Sequence, residues 1–199
     1  MRTGTWARIG TLFAYAAAMG LLEAVVVIYL RRLLGVGVGN VVAPPHGAVW
    51  ASVRGMELAR ELATLVMILA VALLAAGSWR QRLGAFAFVF GIWDLAYYAA
   101  LAALVGWPRG PLDGDLLFLI PAPWWGPVLA PALIAVLLVV GGVRLLRSGR
   151  AGSGAWAAAA GVAGGALLVG AFLLSAPAHF AWAVYAPSLA LFAVGLLRL

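Results

Sequence analysis

Glu23, Glu61 and Asp94 lie within or at the mouth of long apolar runs. An ionised carboxylate at the centre of a bilayer costs about 2.5–3.5 kcal/mol on insertion scales, and acids kept there mark ion sites or proton relays by default. Carboxylates are also the side chains that bind hard cations and exchange protons. Each of the three has companions at helical spacing. Glu57, Arg60, Glu61 and Thr64 recur at i, i+3, i+4, i+7 and form one polar stripe. Asp94 shares its face with Gly91, Tyr97 and Tyr98, and the two phenols can offer hydroxyls to a carboxylate. Glu23 shares its face with Ala16, Met19, Gly20 and Val27, of which Ala16 and Gly20 form a small-xxx-small pair that admits a close neighbour helix.

Three carboxylates in one low-dielectric pocket cannot all stay ionised unless a cation or an arginine compensates. The expected site therefore comprises Glu23, Glu61 and Asp94, with Arg60 and Tyr97 or Tyr98 beside them, and takes a cation or a titrating proton. If a divalent metal binds, His46, His179 and Asp115 are possible further ligands. Read singly, His46 beside Pro44-Pro45 and His179 near Pro177 are loop residues. A structural reading competes for the whole cluster. In it Arg60 neutralises Glu57 and Glu61, Glu23 pairs with Arg31 or Arg32, and Asp94 is protonated against a neighbouring helix.

The elements that must hold these groups follow from composition. Of 199 residues, 66% are hydrophobic and only 10% are charged. A soluble domain carries about 25% charged residues. The expected fold is all-α, a polytopic integral membrane helix bundle with about six transmembrane helices in a single transmembrane domain. The apolar runs place them at residues 9–30, 56–77, 83–107, 124–146, 155–174 and 180–197. The first run opens on Arg2 and Arg8 like a signal peptide, but reaches Leu30, too far for a cleaved segment. Residues 33–54 form a Gly- and Pro-rich loop. Residues 108–123, dense in turn signals, are expected to stay outside and pack on the bundle mouth, because their apolar stretch is too short to cross. Pro131 is expected to bend the fourth helix. Glu23, seven residues before Leu30, is expected roughly 10 Å below the surface.

Arginine counting sets orientation. With six spans, eight arginines fall on the side of the termini and five on the other. That puts both termini in the cytoplasm of a bacterial inner membrane, with the acids in the outer half. Reporter fusions at the Arg80, Arg109 and Arg147 loops check this, and an outward Arg147 loop would overturn it.

Several chemistries are excluded. The chain has no cysteine, which removes disulfides, iron–sulfur clusters and c-type haem. It has no lysine, which removes retinal and pyridoxal Schiff bases. The net charge of +7 lies at helix ends and points to membrane lipid, not nucleic acid. Gly-x-Ser-x-Gly, His-Glu-x-x-His and Glu-x-x-His are all missing. Three functional classes remain: a protein that binds or moves a proton or cation, an accessory subunit among other membrane subunits of an electron-transport or photosynthetic complex, and a metal-dependent membrane enzyme.

Overall fold

The computed structural model describes residues 4–35, 48–147, 155–176 and 179–199. Among them six helices follow in chain order: α1 (Thr5–Leu33), α2 (Ala48–Ala75), α3 (Trp79–Val105), α4 (Leu129–Arg147), α5 (Ala155–Leu173) and α6 (Trp182–Arg198). The chain is a membrane-embedded helical bundle. Five of the helices are long and apolar enough to cross a bilayer, and α6, with 17 residues, is shorter. Their outward faces are aliphatic, as on α2 at Leu62, Val66, Leu69 and Leu73. Such faces are stable only against lipid.

α3 is the hub. It packs on α1, α2 and α4, while α5 and α6 pair with each other and reach the rest through α6 on α4 and α5 on residues 125–127. α1 and α2 both lean on α3 and make little contact with each other. Small residues explain the close seams. Leu12, Ala16, Met19, Gly20, Ala24 and Ile28 form the buried stripe of α1, and the expected Ala16/Gly20 pair is part of it. A Cβ on Gly20 would fall 2.6 Å from the Trp93 carbonyl oxygen, so only glycine lets α1 sit this close to α3. Gly195 does the same for α6 and α5, where a Cβ would run into Gly161 Cα.

Helix ends are marked by local chemistry. Ser78 Oγ accepts from Gln81 N at 3.3 Å and caps α3, which ends at Gly106 in the left-handed region (φ 66°). Trp6 lies under Arg147 and Trp156 under Arg198. These contacts put the start of α1, the end of α4, the start of α5 and the end of α6 at one end of the bundle.

The opposite end is closed by residues 106–128. As expected, this segment does not cross. It forms a β-hairpin of β1 (Gly114–Leu116) and β2 (Trp125–Pro127), antiparallel, with Asp115 opposite Gly126. The ladder extends through Leu117 N to Trp124 O at 2.9 Å and Trp124 N to Phe118 O at 2.8 Å. The strand backbone is thus paired within the segment, as irregular chain near lipid requires. Leu116, Leu117, Phe118 and Ile120 are partly buried and Leu119 is buried.

Three boundaries differ from expectation, and the first is the start of α2, which begins at Ala48 inside the stretch 33–54 expected as loop. The fourth helix begins at Leu129, not 124, because residues 124–127 pair in the hairpin and Pro127 supplies no N–H. Pro131 consequently falls in the first turn of α4, where its missing N–H costs little, so no bend is needed there. α1 runs on to Leu33, which leaves Glu23 ten residues, or about 15 Å, from the helix end instead of 10 Å.

Candidate functional site

The cavity and its walls. A partly open cavity of about 350 Å³ lies under the hairpin, with α3 as its floor. It extends from the gap between α1 and α2 toward α4, α5 and α6. Glu23, Glu61 and Asp94, from consecutive helices, all line it. Arg60, Tyr97 and Tyr98 line it too. Glu57, Arg31 and Asp115 complete the ionisable lining among the described residues.

How the charges are matched. Arg60 bridges the gap that α1 and α2 leave open. Its Nε and Nη2 donate to Glu57 Oε2 at 3.1 and 2.9 Å, and its Nη1 pairs with Glu23 on α1. The side chains of the three are 23%, 12% and 13% exposed, so the pairing is screened little by water. Glu23 therefore does not pair with Arg31 or Arg32 as the structural reading had it. Glu61 does not pair with Arg60 either: both its carboxylate oxygens accept from Leu119 N at 3.0 Å. That bond ties the hairpin to α2 across 58 residues of sequence and satisfies the backbone donor of the buried Leu119.

Asp115 forms a second centre. Its Oδ1 accepts from Arg31 Nη2 at 3.1 Å and from Leu116 N at 2.9 Å, and its Oδ2 accepts from Tyr98 Oη at 3.1 Å. Arg31 in turn lies over the Trp107 ring, 4.9 Å from its centroid. Asp115 is 1% exposed. Burial raises its carboxyl to about 6 and outweighs the lowering by the Arg31 guanidinium and the Tyr98 hydroxyl. Tyr98 thus turns to Asp115, not to Asp94.

Asp94 is the exception among the acids. Its Oδ2 is buried and has no hydrogen-bond partner in the protein. Tyr97 lines the same cavity and stacks edge-on against Tyr98, with ring centroids 5.0 Å apart. Five carboxyl groups and two guanidiniums share the lining, which leaves three formal negative charges without a countercharge. Both guanidiniums are already engaged, Arg60 by Glu23 and Glu57, and Arg31 by Asp115.

The other candidates lie elsewhere. His46 falls outside the described residues. His179 is exposed between α5 and α6 and pairs through its backbone with Ala176, beside a separate small cavity lined by Trp125 and Trp182. Among the described residues, no three His, Asp or Glu side chains gather as a metal-holding set.

Sequence reasoning underrated Arg31, Asp115 and Trp93. Arg31 reads as a helix-end anchor and Asp115 as a turn residue, and nothing local shows that they meet across 84 residues. Trp93 carried a usable signal: it is the tryptophan farthest inside an expected span, and it is 5% exposed. No protein-family model, curated protein or solved structure matches the chain at a significant level.

Proposed function

We propose that this cavity binds a proton or a small cation and passes it into the bundle, with Asp94 as the exchanging group. The observation that carries the reading is the acid excess around an unpartnered, buried Asp94 Oδ2. A buried carboxylate without a donor is unstable unless it takes a proton or a cation. The remaining acids have other duties. Glu23 and Glu57 are held by Arg60, Glu61 by the hairpin backbone, and Asp115 by Arg31 and Tyr98. This division of labour favours a proton or a monovalent cation over a hard divalent metal such as calcium or magnesium, which takes six or more oxygen ligands. In the proposed orientation the hairpin faces outward, so the ion enters from outside and the termini are cytoplasmic.

The test is flux into vesicles. Reconstituted protein under an inward-negative potential is expected to admit protons, read by an internal pH dye, or the cation that replaces them. Asp94→Asn is nearly isosteric and removes only the exchangeable charge. It is expected to abolish the flux with helix content and thermal midpoint retained. Equal flux in wild type and variant, or no uptake in either, would make Asp94 part of a structural clamp.

A further inference from the structure

We propose that the cavity receives a neutral amphiphile: an apolar chain ending in a head that carries a hydroxyl donor beside oxygen acceptors. A hydroquinone with an alkyl or prenyl tail has this chemistry, and so does a diacylglycerol. The inference rests on the reading of Asp94 as a proton-exchanging group and names the kind of molecule that would meet it.

The unmet hydrogen bonds define the head. Among the described residues, few buried side-chain polar atoms lack a partner, and four of them belong to residues that line this one cavity: Asp94 Oδ2, Trp93 Nε1, Trp124 Nε1 and Arg31 Nη1. One is an acceptor and three are donors. Each buried group left unmet costs about 1–3 kcal/mol, so a ligand that meets several is strongly favoured. A bare cation would satisfy Asp94 and leave both indoles unmet. A pure alkane would satisfy none. A hydroxyl can donate to Asp94 while neighbouring oxygens accept from the indole N–H groups.

The walls define the chain. Phe90, Trp93, Phe118, Trp124 and Phe172 form a continuous aromatic run, with successive centroids 5.2, 6.2, 5.5 and 5.7 Å apart. Beyond it, Leu138, Leu168 and Phe192 from α4, α5 and α6 line the rest of the space without a polar side chain. The volume of about 350 Å³ is sufficient for a small ring or glycerol head and the first part of a tail. The cavity lies among membrane-spanning helices, where such molecules are dissolved in the surrounding lipid.

The experiment uses the full chain in nanodiscs, with decylhydroquinone and dioctanoylglycerol as probes. Dodecane and dodecyltrimethylammonium serve as the apolar and cationic comparators. One of the hydroxyl-headed probes is expected to bind saturably at one per chain, and which one binds identifies the source of the head. Its Kd is expected to rise about tenfold in Trp93→Phe and in Trp124→Phe, each of which deletes one N–H donor and keeps an aromatic ring. If one variant fails to fold, the other decides. Equally tight binding of dodecane or dodecyltrimethylammonium, or unchanged binding in the folded indole variants, overturns the proposal. Proton exchange is measured on the wild type without probe. Exchange without amphiphile binding removes only this inference. Amphiphile binding without exchange removes the proton reading and leaves an amphiphile site.

Discussion

Arg60→Ala is expected to destabilise the protein by about 3–5 kcal/mol, the cost of stripping the partner from a buried ion pair. Arg60 spans the gap between α1 and α2 and holds Glu23 and Glu57 at once. Its removal leaves two mostly buried carboxylates without a countercharge and two helices with little other contact. Arg60→Lys keeps the charge but loses the planar fork that serves two carboxylates, so it is expected to recover only part of the loss. Replacing all three together, as Arg60→Met with Glu23→Gln and Glu57→Gln, is expected to recover more than the lysine, because no charge is then buried unpaired. Unfolding in mixed micelles measures the series. A loss under about 1 kcal/mol for Arg60→Ala would mean that the pair behaves as an exposed one.

Gly20→Val is expected to cost at least as much as ordinary overpacking, about 1–3 kcal/mol, and to disturb the site as well. Its Cβ would lie 2.6 Å from the Trp93 carbonyl oxygen, 2.8 Å from Ala96 Cβ and 2.9 Å from Tyr97 N. Two of these are backbone atoms, which cannot turn aside. α1 must therefore move off α3, carrying Glu23 away from the cavity one turn further on. Gly10→Val on the same helix is the comparison, since a Cβ there meets nothing within 4 Å. It is expected to leave the thermal midpoint within about 2 °C of wild type, as surface substitutions away from special features do. Similar midpoints for the two variants would show that the α1/α3 seam is looser than the geometry implies.

The bundle was legible in the sequence because hydrophobic run length is a strong signal and lipid leaves few alternatives. The non-crossing segment was legible for the same reason: Leu116–Ile120 is too short to span and is flanked by turn residues. Its hairpin was not. Strands of three residues carry no periodicity, and the pairing of Asp115 with Gly126 depends on a register that only tertiary contact fixes. The start of the fourth helix was misjudged by the same blindness, since Trp124–Pro127 is apolar enough to belong to either element.

The site was half legible. Buried acids on neighbouring helices predict convergence, and Glu23, Glu61 and Asp94 do line one cavity. Partner choice was not readable. Within α2 the i, i+1 neighbour Glu61 forms no ion pair with Arg60, whereas Glu57 at i−3 lies on its face and does, which helical geometry does supply. The reach of Arg60 to Glu23, of Arg31 to Asp115 and of Glu61 to Leu119 N depends instead on how α1, α2 and the hairpin settle on α3. Spacing along one chain cannot encode those distances.

The central claim is that the acid-rich cavity keeps an exchangeable proton or cation at Asp94. An infrared titration of the purified protein in lipid tests it most directly, because a protonated carboxyl and a carboxylate absorb at separate frequencies. The account predicts a buried carboxylic-acid band that disappears as pH rises or as a small cation is added, and that is missing from a folded Asp94→Asn variant. A spectrum in which no such band titrates, with wild type and variant indistinguishable and no cation taken up, would contradict the account and leave the acids as clamps between helices.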